Sequence, residues 1–130
     1  MSLGFQNASF DIVASYDNWK PAVNIYKKNF DHPIYELDLY SDEAMEHIKK
    51  KVPEMIIGGP PCQSWSEAGA LRGIEDARGQ LFYEYIRILR DKQPKFFLAE
   101  NVSGMLANRH SEAVKNIISM FEECGYDVSI

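Results

Sequence analysis

Two cysteines in 130 residues are too few for a disulfide framework. At positions 62 and 124 they also stand too far apart for a zinc spacing. The three histidines, His32, His47 and His110, show no metal spacing either and read as surface or turn residues. No apolar run approaches the roughly 20 residues of a membrane span, and no signal-peptide pattern opens the chain. A reducing, intracellular and cytoplasmic setting is therefore expected, with no membrane partner. Positive charge is also scarce: 14 Lys and Arg face 19 Asp and Glu, for a net charge of −5. A chain with that balance does not grip a nucleic-acid duplex unaided. What remains is ordinary for a globular domain, with 45% hydrophobic and 25% charged residues and enough length for a single core.

The apolar spacing alternates between strand-like and helix-like stretches. Residues 10–15 (Phe-Asp-Ile-Val-Ala-Ser) read as a strand, broken by Tyr16-Asp17-Asn18. Residues 19–30 carry apolar side chains at helical spacing, with Asp17 or Asn18 placed to cap and Pro21 tolerated in the first turn. A second strand is expected over 34–39. Ser41 then caps a helix to about Lys51, with acids in its first turn and lysines in its last. A strand over 55–57 leads into a polar, glycine-containing stretch that runs to Gly79. A helix over 80–91 follows, then a buried strand over 95–99. Beyond it lies an amphipathic helix over 111–124 with Gly125 as its C-cap. Residues 126–130 begin a further strand. Alternation of this kind predicts an α/β fold with a parallel, doubly wound sheet.

The stretch after the third strand, Gly58-Gly59-Pro60-Pro61-Cys62-Gln63-Ser64-Trp65-Ser66, is the unusual one. The two glycines permit close approach of another molecule's backbone or rings. The two prolines stiffen the turn. Cys62 is thus held just past the carboxyl end of a strand, where open α/β sheets bind ligands. A thiol presented on a rigid loop suggests a nucleophile. Cys124, at a helix end, reads instead as a small buried hydrophobe.

This loop, the segment Asp76-Ala77-Arg78-Gly79-Gln80-Leu81-Phe82, the run Gln93-Pro94-Lys95-Phe96-Phe97 and the triplet Glu100-Asn101-Val102 together resemble the DNA cytosine-5 methyltransferase family. The resemblance covers nearly the whole chain. It implies a Rossmann-like methyltransferase sheet with helices on both faces, and S-adenosylmethionine as the methyl donor for cytosine in DNA. Cys62 would be the nucleophile that adds to carbon 6 of the base. Glu100 would meet ring nitrogen 3 as a neutral carboxylic acid, which needs a burial-raised pKa. The base must leave the duplex to reach them.

Pro61, Gln63, Ser64, Asn101 and Val102 would shape the loop and contact the base, with Asn101 bracing the Pro-Cys turn. Asp17 with Asn18, Asp38 with Leu39, and Leu81 would line the donor site, Asp17 on ribose hydroxyls and Asp38 on adenine. Plain capping, turn and core roles also fit these residues. Asn18 stands where many family members carry an apolar side chain against adenine, and Trp19 could substitute. Arg72, Arg78 and Arg109 are candidate phosphate contacts, although solvated roles fit them as well.

The family's opening strand and its Phe-x-Gly-x-Gly turn are not seen here, nor are the target-recognition domain and the closing motifs. Residues 1–130 therefore read as a partial catalytic domain, with residues 3–5 a remnant of the helix after that turn. The resemblance places the missing strand mid-sheet. Its loss predicts unpaired strand edges and hence a complementing chain or self-association. Two further readings stay open: a remnant that binds a partner without activity alone, and an RNA cytosine methyltransferase of the same superfamily.

Overall fold

A computed structural model describes residues 1–60, 77–106 and 111–130, with the side chains of 77–81, 104 and 113 left aside. The chain divides into two compact units, Met1–Pro53 and Glu54–Ile130. Each contains a pair of parallel strands, so the α/β class and parallel pairing follow the sequence pattern.

In the first unit a short helix, α1 (Ser2–Asn7), precedes β1 (Ser15–Asp17), α2 (Lys20–Asn29), β2 (Ile34–Glu36) and α3 (Asp42–Lys49). Strand β1 starts later than the sequence suggests: residues 10–14 are not extended into the sheet. The reason is the partner. Ser15 pairs with Ile34, directly after Pro33, whose carbonyl accepts the Ser15 N–H at 2.9 Å. Upstream of that point no strand faces the chain among the described residues, and Phe10 packs edge-on against Phe5 of α1. The second strand is likewise shorter than 34–39. After Leu37 N donates to Asp17 O at 3.2 Å, the Asp38 carboxylate takes the Tyr40 N–H and turns the chain.

Helix α3 has the cap its sequence requires. Ser41 Oγ accepts from Ala44 N at 3.1 Å, and Ala44, Met45 and Ile48 face inward. Helix α2 differs. Its N-cap residue is Trp19, with no side-chain cap, and Asp17 Oδ1 accepts the Trp19 N–H at 2.7 Å just before the first turn. Pro21 lies in that first turn, where its missing N–H costs nothing.

The second unit runs β3 (Met55–Gly58), α4 (Ala77–Lys92), β4 (Phe96–Ala99), a 3-10 turn (Ser103–Leu106) and α5 (Ser111–Glu123). Helix α4 begins three residues before the expected start and includes Gly79. Its inward face (Phe82, Tyr85, Ile86, Leu89) meets Ile117, Phe121 and Cys124 of the α5 segment to form the core, and Ile56 and Phe97 pack onto it from the strands. Burial of Cys124 matches its reading as a small hydrophobe.

Strand β4 is not buried on both faces as its continuous apolar run suggests. Phe97 packs on Phe121 with ring centroids 4.4 Å apart, whereas Phe96 is 66% exposed and Leu98 40%. Gly125 ends α5 at φ +92°, a left-handed conformation that glycine adopts without strain. The strand expected over 126–130 is absent. Tyr126 closes the helix end by donating to Pro94 O at 2.9 Å and packing edge-on against Phe97, and its backbone joins no ladder.

Candidate active site

Strands β3 and β4 pair in register from Met55↔Phe96 to Gly58↔Ala99. The residues that follow each strand therefore emerge side by side at one end. Glu100 N donates to Gly58 O at 2.8 Å, which carries the ladder one step past β4. Asn101 Nδ2 then donates to Pro60 O at 2.9 Å, and Asn101 Oδ1 accepts Val102 N at 2.9 Å. One side chain thus uses both ends of its amide, to hold the chain leaving β3 and to shape the turn after β4. Pro60 is buried, whereas Glu100 is exposed, so the described residues do not supply the burial expected for its carboxyl. Cys62, Pro61, Gln63 and Ser64 lie outside the described residues, as do Arg72, Arg109 and His110 and the side chains of Leu81 and Arg78.

The underside of these tips holds a residue of the helix expected over 80–91. Tyr85 Oη donates to Leu98 O at 3.0 Å and approaches Ile56 O at 3.3 Å, so one hydroxyl serves both strands. Burial, and secondarily Tyr126, raises its pKa well above the usual 10.0. Its ring lies against Gly58 so closely that a Cβ there would stand 2.7 Å from Cε2. The close approach that Gly58 permits is thus filled by the protein's own Tyr85. Gly58 within the strand was the one available signal, since a strand glycine marks close approach of another group without saying which.

In the first unit, Asp17 and Asp38 lie at the carboxyl ends of adjacent parallel strands. Each carboxylate spends Oδ1 on a local backbone N–H, Trp19 and Tyr40 respectively. A carboxylate has about four lone-pair sites, so acceptor capacity remains at both positions. Those free lone pairs can accept from hydroxyl or amine donors. Asn18 is exposed and Leu39 half-buried beside them. Trp19, 64% exposed, lines an open apolar hollow with Ala22, Ile25, Tyr26 and Phe30. His47 and His32 are engaged with tyrosine hydroxyls, Tyr16 and Tyr26. Among the described residues no group of three or more His, Cys, Asp or Glu side chains could hold a metal ion. Nor is any described helix long and apolar enough to cross a membrane.

The family model for C-5 cytosine-specific DNA methylases matches residues 1–130. The chain belongs to this family. Among its relatives, the Type II methyltransferase M.NgoPII of Neisseria gonorrhoeae is 56% identical over 133 residues, covering all of this chain and 38% of that protein. M.FnuDI of Fusobacterium nucleatum is 54% identical, again over the whole chain and 37% of its own length. The crystal structure of a prophage-encoded DNA modification methyltransferase from E. coli superposes with a TM-score of 0.72 at 30% identity. That match covers 94% of this chain and 34% of that one. The C-5 methylase segment described here thus spans under two fifths of the length of each of these three proteins.

Proposed function

We propose that this chain is the catalytic segment of a DNA cytosine-5 methyltransferase, with Cys62 as nucleophile and Glu100 as the acid that meets the base. The observation that supports it most is the pairing at the strand tips. Glu100 N bonds Gly58 O, and Asn101 bonds Pro60 O two residues ahead of Cys62 in the chain. In this reading the Cys62 thiolate adds to carbon 6 of an extruded cytosine, which makes carbon 5 nucleophilic. A protonated Glu100 donates to ring nitrogen 3 and neutralises the charge that gathers there. S-adenosylmethionine supplies the electrophilic methyl group. Loss of the carbon 5 proton then expels the thiolate.

Asp17 and Asp38 would bind the adenosine part of the donor, supported by their place at adjacent strand ends. Asn18, Leu39 and Leu81 would complete that lining, and Pro61, Gln63, Ser64 and Val102 the base side. In each two-stranded sheet a single edge of β1 and of β3 is paired, among the described residues. We infer that activity calls for a complementing chain that supplies further strand.

The test is a covalent trap. The chain is incubated with S-adenosylmethionine and DNA containing 5-fluorocytosine, alone and with the part of M.NgoPII outside the matched region. The expected result is an adduct with the complementing part present, abolished by Cys62→Ala. Glu100→Gln should form it about a hundredfold more slowly. No adduct under either condition, or an equal adduct from Cys62→Ala, would overturn the proposal.

A further inference from the structure

Helix α4 needs an apolar ring at position 85 to fill the core, and phenylalanine would do that. A buried hydroxyl has to be accounted for separately, since burying one without partners is unfavourable. Tyr85 is 6% exposed and its hydroxyl is aimed at two carbonyls on two different strands. The two acceptors stand at neighbouring steps of the ladder, Ile56 opposite Phe97 and Leu98 opposite Ile57. The hydroxyl has one proton, so it is shared across the strand pair, the shorter contact going to Leu98. Just beyond, the ring occupies the space that any side chain at 58 would take. The tips are thus held from three sides: by the ladder bond from Glu100 to Gly58, by Asn101 on Pro60, and by Tyr85 beneath.

We infer that Tyr85 is a positioning residue, whose hydroxyl and ring set the spacing of the β3 and β4 ends and so the separation of Pro60 and Glu100, the residues that follow them. The inference rests on the proposed reading for its functional meaning, while the mechanical part stands on the contacts alone. Tyr126 provides the natural control. It too donates a phenol hydroxyl to a backbone carbonyl, but to Pro94, ahead of the start of β4.

The experiment compares Tyr85→Phe with Tyr126→Phe by amide hydrogen exchange on the 130-residue chain. The probes are the Glu100 amide, bonded to Gly58, and the Phe96 amide, bonded to Glu54 at the opposite end of the pair. Tyr85→Phe should speed exchange at Glu100 by about tenfold and at Phe96 by less than about twofold, the pattern of local opening. Tyr126→Phe should do the reverse. A hydroxyl that merely stabilised the fold would speed both ends alike. Equal acceleration at the two ends, or none at Glu100, overturns the inference.

In the trapping assay, Tyr85→Phe should slow adduct formation about tenfold with little change in the DNA concentration for half-maximal rate. A wild-type chain that forms no adduct even with the complementing part present would end the catalytic reading and leave the exchange result standing. Altered exchange with an unchanged adduct rate would end the positioning role alone.

Discussion

A methyl group at position 58 would meet Cε2 of Tyr85 at 2.7 Å and Cδ2 at 3.1 Å. The ring is wedged between β3 and the α5 side of the core, where Phe121 stands edge-on to it, so it has little room to yield. Gly58→Ala is therefore expected to destabilise the second unit by about 1–3 kcal/mol through overpacking, read as a lower denaturation midpoint with unchanged slope. At this scale the sequence was partly legible. Gly58 could be read as a point of close approach, because the lack of a side chain is a local property, whereas Pro61 and Cys62 lie outside the described residues. Which ring would come close to the glycine was not legible, because Tyr85 lies 27 residues further on and only the packing of α4 on the sheet brings it there.

Elements form where local signals and partners coincide. Helix α3 has both, with Ser41 as cap, acids in its first turn and an inward face of Ala44, Met45 and Ile48. Ser41→Ala should cost about 1 kcal/mol, measured by chemical denaturation, because Ala44 N then loses its acceptor. Helices were the more legible elements for this reason: cap, period and stop are written in neighbouring residues. Strands were less so. Residues 10–14 and 126–130 have strand-like composition, yet a strand exists only where another backbone faces it, and among the described residues no strand faces either stretch. The exposed alternation in β4 has the same origin, since the core covers Phe97 alone among its first three residues.

For the molecule as a whole, alkaline pH is the informative perturbation. Burial raises the pKa of Tyr16, Tyr85 and Tyr126, in Tyr85 most strongly. Groups whose folded pKa lies above the unfolded value stabilise fully below that unfolded value. They lose the contribution as pH rises from it towards the folded pKa. Stability should thus be flat in this respect below about pH 10 and fall above it, as the unfolded state sheds phenol protons that the fold retains. Denaturation midpoints measured from pH 8 to 11.5 check this. Tyr85→Phe should be less stable at pH 8 but show a shallower decline above pH 10. A decline as steep as in the wild type would contradict the assignment to Tyr85.

Sequence by itself determined the family, the α/β class, the helices and the identity of the reactive candidates, since motifs, caps and periodicities are carried by residues close together in the chain. It also marked Glu100 and Asn101 as a pair worth placing beside the proline turn. Tertiary structure alone decided where strands begin and end, which face of β4 meets the core, and that Tyr85 reaches across two strands under their tips. Those outcomes depend on backbones and rings distant in sequence, and no local pattern encodes the distance between them.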